Sequence, residues 1–556
     1  MAKAKKSKKS KKAKKAMKAR TMAAKKSARK SSKKSAKKSV KKSAKKSAKK
    51  FAIVMDMDME LPGPDYIRVL AVLPKDGRPW LVNAARALLE GQVWRIDKPE
   101  AGLPEEFELD QSFFSVALGP TAPFEFNFDR DVDKIALAND LQPENSRYFV
   151  IRGFVKARGL QLVPRNIDDL ELYSDPSIYT LLTCGTDRAV GSVVDARNNL
   201  GAAKLAAQLP PLDGADVAVA MVDSGIFLQH LTRVNLLTGL NEALLMRPRP
   251  AYPLPPRQMG DPPILDGLDS WTPPRVATPP GGHRIGHGTM CAYNVLAVAP
   301  RARLVDYPSL IARAPGDHTV KGTVGAAIHA YAILIAFWIN NLAMAVPSYR
   351  ALVVNNSWGI FHPCEEDVSP GQPGRFIDNP FHPFHVLVWF LAMLEADIVF
   401  AAGNGGLPCP APPFLHLTTG SIRGANAYRE VLTVAGCDVN DSRVGYSSQG
   451  PAVAMFPMPT PEKPDLAAYT HFLGSQVFGA RAPDRGTSTA CAIAAGCVAA
   501  LRSHPNISPA AVPPAVLFTA LRSTARQVGA SGWNQDYGYG IIDPVAAARS
   551  LGVPIP

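Results

Sequence analysis

The first 50 residues contain no acidic side chain, although they hold 23 lysines and two arginines. The whole chain of 556 residues has a formal net charge of +16. Removing the 25 positive charges of this segment leaves the other 506 residues at −9. The composition therefore describes a mildly acidic globular body with a strongly basic tail, and this asymmetry indicates two functions in two parts of the chain.

The tail, residues 1–50, also lacks aromatic residues and ends in a four-residue Ser-Ala-Lys-Lys repeat. Like charges at this density prevent a packed core, so we expect the tail to be disordered. Its composition resembles the Lys/Ala/Ser-rich tails of linker histones, which implies sequence-independent binding to DNA, RNA or another polyanion by counterion release. Base stacking is not expected without aromatic residues. The alternative is a solubilising tail without a specific partner.

The seven cysteines are odd in number and scattered, so they lack the paired spacing of a disulfide-rich framework. Several lie among Ala and Gly residues, where a thiol behaves as a small hydrophobic group. We interpret most of them as free thiols in a reducing compartment. A bridge between Cys364 and Cys409 stays open as the alternative for that pair.

The sequence also lacks an export signal, in which a few basic residues are followed at once by an apolar segment. The apolar residues 51–55 follow the long basic tail and are interrupted by Asp56. The longest apolar segment, residues 324–346, contains His329 and two asparagines, which favours a buried helix over a membrane span. We expect a cytoplasmic protein without a membrane span, associated with nucleic acid through its tail.

Residues 51–200 have an ordinary globular composition. Apolar runs predict strands over residues 66–73 and 148–155 and a short helix over residues 81–89. We interpret this region as a smaller N-terminal α/β domain. It contains no catalytic motif, and its residues do not indicate its function.

Residues 201–556 show buried strands that alternate with helices. Continuous apolar runs, typical of parallel strands covered on both faces, recur at residues 217–222, 351–354, 398–402 and 431–435. Apolar helical segments lie between them, at residues 324–345 and 384–394. This alternation predicts an α/β fold with a doubly wound, mostly parallel sheet.

Four polar residues stand where such a fold gathers its functional groups. Asp223 and Asn404 each follow a predicted strand, and ligands bind beyond the carboxyl ends of strands in these sheets. His287 is flanked by glycines that leave room around its ring. Ser488 begins a run of small residues that predicts a helix, whose N-terminus favours developing negative charge. Each signal alone also suits an ordinary turn or core residue.

In the order Asp, His, Asn, Ser, these motifs resemble the subtilisin-like serine proteases over about residues 201–556, a family with this chain order of the triad. The stretches that carry the resemblance are Asp223-Ser224-Gly225, His287-Gly288-Thr289, Ser357-Trp358-Gly359, Asn404 after Ala-Ala-Gly, Gly486-Thr487-Ser488, and residues 446–450, 463–465 and 538–543.

The resemblance implies a serine endopeptidase that acts on proteins or peptides. Ser488 would attack the scissile carbonyl, His287 would transfer the proton, and Asp223 would orient the imidazole. Asn404 and the Ser488 backbone N–H would hold the oxyanion. The family further implies that the substrate backbone runs along Ser357, Trp358 and Gly359. We predict no metal and no cofactor.

The sequence departs from the family pattern at several places. Thr489 and Ala492 stand where the family usually has Met and Pro, and we expect them to alter packing more than chemistry. Residues 246–280 hold eleven prolines in 35 positions, which predicts an extended surface insertion between the acid and the base. Residues 51–200 occupy the position of the family's prodomain.

A second interpretation is a catalytically silent scaffold of the same fold that acts as a polyanion-binding protein. The four intact catalytic positions count against it.

Overall fold

The computed structural model describes residues 66–92, 94, 103–156, 166–167, 169–180, 188–231, 263–274, 276–284, 286–313, 320–360, 366, 368, 372, 374–406, 420–455, 462–479 and 481–556. The basic tail, the Cys364–Cys409 alternative and residues 246–262 of the Pro-rich insertion lie outside the described residues.

An antiparallel sheet with helices on it comes first in the described chain. Its elements are β1 (Tyr66–Pro74), α1 (Trp80–Leu89), β2 (Phe107–Leu109), β3 (Val116–Ala117), α2 (Lys134–Asp140), β4 (Tyr148–Lys156), β5 (Asn166–Ile167) and β6 (Leu170–Ser174). The strand order is β2-β4-β1-β6-β5, and β3 also pairs with β4. The predicted strands and helix of the N-terminal region are all present.

The central strand β1 is apolar on both faces because both faces are covered. Successive side chains of a strand point to opposite faces. Leu70 and Val72 pack into the main core of the protein. Val69, Ala71 and Leu73 form a smaller core on the other face, together with Leu81 of α1. The continuous apolar sequence of β1 follows from this double burial.

A parallel sheet forms the larger part of the molecule. The remaining elements in chain order are β7 (Ser177–Tyr179), α3 (Val193–Asn199), α4 (Ala202–Ala207), β8 (Val217–Asp223), α5 (Leu228–Leu231), α6 (Gly286–Val298), β9 (Arg303–Pro308), β10 (Ala312–Arg313), β11 (Val320–Thr323), α7 (Val324–Ala343), β12 (Ala351–Asn356), α8 (Pro383–Met393), β13 (Asp397–Ala401), β14 (Leu432–Cys437), β15 (Leu466–Tyr469), α9 (Thr487–Arg502), α10 (Pro514–Thr524) and α11 (Pro544–Ser550).

The order of this sheet is β15-β14-β13-β12-β8-β9, with every neighbouring pair parallel. This confirms the predicted doubly wound α/β fold. After β8 the chain first adds β9 on one side and then β12 on the other. The carboxyl ends of β8 and β12 therefore flank the point where the direction of winding reverses, which is where open α/β sheets bind ligands.

Helix α7 is long and apolar enough to cross a membrane by length and composition, but half of its most apolar window is buried inside the protein. Its His329 and Trp338 side chains are buried, and the indole of Trp338 donates to the Leu394 carbonyl at 2.8 Å. Both features are those of a core helix.

Helix α9 lies across the sheet and contacts β8 and each strand from β12 to β15. Every residue of α9 is buried, which its run of Ala, Gly and Cys permits. A Cβ atom on Gly496 would come within 2.8 Å of the Val295 carbonyl oxygen, so glycine is needed where α9 passes α6. The small-residue run of the sequence therefore serves close helix packing as well as the site at its N-terminus.

The antiparallel sheet region packs tightly on α7 and α8. Phe126 makes edge contacts with Trp389 and Phe390 of α8, at centroid distances of 4.8 and 5.4 Å. The Phe128 carbonyl oxygen accepts from the Trp389 indole at 3.1 Å. Burying aromatic surface of this size contributes strongly to stability, so the contact favours a long-lived association of the two regions.

Polar contacts join the same two regions at the N-termini of the helices. Asp175 follows β6, and its Oδ1 accepts from Gly325 N in the first turn of α7 at 2.7 Å. The carbonyl oxygen of Ser174 lies 2.9 Å from Nε2 of His382, the N-cap residue of α8. A carboxylate at a helix N-terminus is stabilised by the helix dipole.

Candidate active site

Asp223 and His287 are in direct contact. Asp223 is the last residue of β8 and is fully buried, and His287 is in the first turn of α6. Nδ1 of His287 lies 2.8 Å from Oδ1 and 3.1 Å from Oδ2 of Asp223. An ionised carboxylate can only accept, so Nδ1 carries the proton and Nε2 is left as the basic nitrogen.

Two side-chain hydrogen bonds hold the turn after β8 against the start of α6. The Gly288 N–H donates to Oγ of Ser224 at 2.9 Å, and the Phe227 N–H donates to Oγ1 of Thr289 at 2.9 Å. These bonds join the residues next to the acid to those next to the base. The Asp–His geometry is therefore held by the loops themselves.

Ser488 lies in the first turn of α9 and is 3% exposed. Its hydroxyl donates to the Ser357 carbonyl oxygen at 3.2 Å, and within the described residues this is the hydrogen bond that Oγ makes. The thiol of Cys291 lies 4.0 Å from Nδ1 of His287 and 3.9 Å from the Ser488 carbonyl oxygen. The imidazole and the serine thus border the same thiol. In the part of the chain that the structure describes, no hydrogen bond joins Oγ of Ser488 to His287. Catalytic hydrogen bonds are often long or poorly aligned before substrate binds.

Asn404 is tied to the start of α9. Its Oδ1 accepts from N of Thr487 at 2.9 Å and from Oγ1 of Thr487 at 3.0 Å. Because these groups donate, the amide oxygen is identified by its partners, and the amide nitrogen points elsewhere.

The amide nitrogen of Asn404 and two atoms of Ser488 converge on one small space. A Cβ atom placed on Gly486 would lie 3.2 Å from Nδ2 of Asn404 and 3.5 Å from both N and Oγ of Ser488. Glycine leaves this space empty. Two N–H donors beside a hydroxyl form the arrangement that stabilises an oxyanion when the hydroxyl attacks a carbonyl.

Residues 357–359 contact Ser488 through Ser357 and pair with the backbone of another strand through Gly359. Oγ of Ser357 donates to the Ser488 carbonyl oxygen at 3.1 Å. The ring of Trp358 is fully buried, so it supports the edge and does not extend over it. The Gly359 N–H donates to the Tyr179 carbonyl oxygen at 3.2 Å, and the Tyr179 N–H donates to the Gly359 carbonyl oxygen at 3.0 Å.

Strand β7 therefore occupies this edge. On its other side it pairs antiparallel with β11, with Ile178 opposite Gly322 and Tyr179 opposite Lys321. An extended segment of the chain thus lies between β11 and Gly359 and makes backbone hydrogen bonds on both sides. The Ile178 side chain is fully buried. No pattern in the sequence indicates this pairing, which joins residues far apart in the chain.

Asp223, His287 and Cys291 offer an oxygen, a nitrogen and a sulfur within 4.8 Å of one another. Burial raises the pKa of the Cys291 thiol well above its usual value, and the charge of Asp223 raises it further. Since the thiolate is the metal ligand, a thiol kept neutral is a poor one. The group suits proton transfer better than metal binding.

The two departures from the family pattern fit the local packing. The Thr489 hydroxyl donates to the Arg485 carbonyl oxygen at 3.2 Å, and Ala492 is fully buried.

Sequence reasoning did not single out Cys291, although its position four residues after His287 places both on one face of α6. It also did not single out Asn426, whose amide donates to the Trp358 carbonyl oxygen at 2.8 Å.

A buried Asp–His pair near a serine at a helix N-terminus is the arrangement that serine hydrolases use. Residues 214–540 match the model of the Subtilase family. The chain belongs to the Subtilase family, and this membership supports serine peptidase activity.

Among solved structures, the chain is similar to the crystal structure of a lanthipeptide protease. The two are 16% identical with a TM-score of 0.37, and the match covers 66% of this chain and 99% of that one. No curated protein matches the chain significantly.

We predict that Gly486→Ala lowers peptide hydrolysis because the added methyl group occupies the space beside Ser488 and Asn404, and not because the variant is less stable. Its φ of 89° is unfavourable for alanine, which costs about 1–2 kcal/mol, and the added Cβ crowds the amide of Asn404. Peptide hydrolysis should fall on the order of 10²-fold. The matched control is Gly532→Ala, with a φ of 95° and nothing within 4 Å of the new Cβ. Equal activity of the two variants, with equal losses in thermal unfolding, would contradict the assignment.

Proposed function

We propose that the protein is a serine endopeptidase in which Asp223, His287 and Ser488 act as a catalytic triad. The observation that carries the proposal is the convergence of Nδ2 of Asn404 with N and Oγ of Ser488, next to the buried Asp–His pair. A structural serine would need no donors around its hydroxyl, whereas an attacking one does.

In the proposed reaction, Oγ of Ser488 bonds to the scissile carbonyl carbon while its proton passes to Nε2 of His287. The carbonyl oxygen becomes negative and accepts from Nδ2 of Asn404 and N of Ser488. His287 then gives the proton to the leaving amine, the C–N bond breaks, and an acyl-enzyme remains. A water molecule then attacks the acyl carbon and gives its proton to His287. His287 returns this proton to Oγ of Ser488 as the carboxylic acid leaves. Asp223 stabilises the imidazolium throughout.

The proposed substrate is an extended peptide that pairs with β11 and Gly359 in the way that β7 does. Strand β7 is preceded by β6, and the described chain resumes at Arg188. The space between β11 and Gly359, which we call the cleft, thus admits an internal segment of a chain without requiring a free terminus. This geometry favours an endopeptidase over an enzyme that removes residues from an end.

Labelling by a fluorophosphonate probe tests the triad. The wild type should react, and Ser488→Ala should not, with hydrolysis of a peptide lowered by more than roughly 10³-fold. Ser523→Ala, on α10, is the matched control because its hydroxyl bonds only within its own helix, to the Ala520 carbonyl oxygen. Labelling of Ser488→Ala, or no labelling and no peptide hydrolysis by a well-folded wild type, would contradict the proposal.

We further propose that the N-terminal region acts as an inhibitory domain, with β7 in the place of a substrate. Three observations support this. Strand β7 makes hydrogen bonds to both sides of the cleft, Asp175 caps α7 next to it, and Phe126 and Phe128 anchor the region on α8. Cleavage of the chain between Thr180 and Arg188 would free the carboxyl end of the occupying segment, which stays joined to β6.

Tyr179→Pro tests this inhibition because proline removes the N–H that donates to Gly359. Self-cleavage between residues 180 and 188, measured by mass spectrometry, should fall severalfold while hydrolysis of an added peptide rises. Lys134→Ala is the control, since it breaks an ion pair with Glu395 in the same interface away from the cleft. An equal loss of both activities, or no change in either, would contradict the role of β7.

Binding of DNA or another polyanion is proposed for the tail, residues 1–50, and would place the peptidase on that polymer. Deleting these residues should abolish binding to duplex DNA at low salt and leave peptide hydrolysis unchanged, because the remaining chain has a net charge of −9. The alternative is a catalytically silent scaffold. In that case the tail would carry the polyanion binding that is the protein's function, and substitution of Ser488 would not change that function. DNA binding that survives the deletion would contradict the assignment to the tail.

A further inference from the structure

Asp306 is a buried carboxylate outside the proposed triad that contacts both loops carrying its acid and base. It lies in β9, beside β8, and is fully buried. Its Oδ2 accepts from N of Ile226 at 3.1 Å and from N of Gly281 at 3.0 Å. Ile226 is in the turn that follows Asp223, and Gly281 is in the segment that leads to His287.

These two segments form a short antiparallel pairing of their own. The His283 N–H donates to the Ile226 carbonyl oxygen at 2.9 Å, and the Leu228 N–H donates to the Gly281 carbonyl oxygen at 2.8 Å. Asp306 accepts one backbone N–H from each segment, so it holds the two segments in a fixed register relative to each other. An ionised acceptor makes stronger hydrogen bonds than a neutral one.

We infer that Asp306 is a positioning residue that holds the Asp223 turn against the segment leading to His287. The inference rests on the proposed triad and concerns how it is held in place. Nothing in the apolar sequence around Asp306 indicates this role, and a hydrophobic residue would suit the burial of β9 better.

The burial of this carboxylate is unfavourable for the fold. Burial raises the pKa of Asp306 to about 7, with a smaller contribution from the charge of Asp223, while the two N–H donors act in the opposite direction. Its Oδ1 has no hydrogen-bond partner in the described protein. The titratable or charged groups on β8, β9, the first turn of α6, residues 264–271 and the two segments are Asp223, Asp266, Asp269, His283, Arg284, His287, Arg303 and Tyr307. Of these groups, it is the charge of Asp223 that acts on the pKa of Asp306.

The sign of the pH effect follows from this shift. The folded-state pKa lies above that of an unfolded chain, so between about pH 4 and pH 7 the folded protein binds more protons at Asp306. The contribution of this group to stability is therefore most favourable at low pH and declines as pH rises towards 7.

Asp306→Asn tests the inference because it keeps the shape and one acceptor but removes the charge. At pH 8 we expect kcat/KM for a peptide to fall by about 10-fold or more, mainly through kcat. Because burial raises the pKa of Asp306 to about 7, the wild-type pH profile should contain an ionisation near pH 7 that the variant lacks. The midpoint of thermal unfolding, variant minus wild type, should increase from pH 5 to pH 8.

Asp269→Asn is the matched control. Burial also raises the pKa of Asp269, but its carboxylate contacts the Tyr349 hydroxyl and neither of the two loops. A second readout needs no catalysis: the deshielded proton of the His287–Asp223 hydrogen bond in the proton NMR spectrum should shift or broaden in Asp306→Asn and not in the control. An unchanged resonance together with an unchanged pH profile would overturn the inference. A wild type without hydrolysis would instead contradict the proposed function, and the resonance would still decide the role of Asp306.

Discussion

The parallel pairing of β8 with β9 and β12 determines where the candidate site lies. It brings the carboxyl ends of strands that are far apart in the sequence to one edge of the sheet. Asp223 ends β8, Ser357 follows β12 by one residue, and Asn404 follows β13 by three. Only the imidazole and the serine come from helices, and both lie in a first turn. One architectural constraint therefore supplies most of the geometry that the proposed proton transfer and oxyanion binding would need.

Helix α9 is held along β13 at both ends, which sets the position of Ser488. At its N-terminus, Thr487 bonds to Asn404, just beyond the end of β13. At its C-terminus, Arg502 makes a bidentate pair with Asp397, the first residue of β13, at 2.6 and 2.7 Å. A fully buried ion pair costs much desolvation and is weak evidence for added stability, but removing one partner is expensive. This pair thus acts as a fixed point for the register of the helix.

The sequence was most informative about residues whose immediate neighbours in the chain form a recognisable pattern. Asp223 and Asn404 follow apolar runs, and the glycines around His287 and Ser488 indicate space, so these four could be selected as candidates from the chain alone. Asp306 could not, because a single carboxylate within an apolar strand gives no sign of what it contacts. The pairing of β7 with β11 and Gly359 could not either, since three-residue strands carry little signal and their partners lie more than 130 residues away.

The two-sided pairing of β7 has a consequence for how the proposed inhibition would end. A substrate must displace a segment that belongs to the same chain, and whose effective concentration is therefore high. The contacts of Phe126 and Phe128 with α8 do not involve the space between β11 and Gly359, so cutting the chain after Thr180 would remove the covalent link on the C-terminal side of β7 without removing those contacts. The N-terminal region would then stay bound, and β7, still joined to it through β6, would exchange with substrate as a segment held at one end only. Competition by substrate at Gly359, and not dissociation of the whole region, would set the rate at which activity appears.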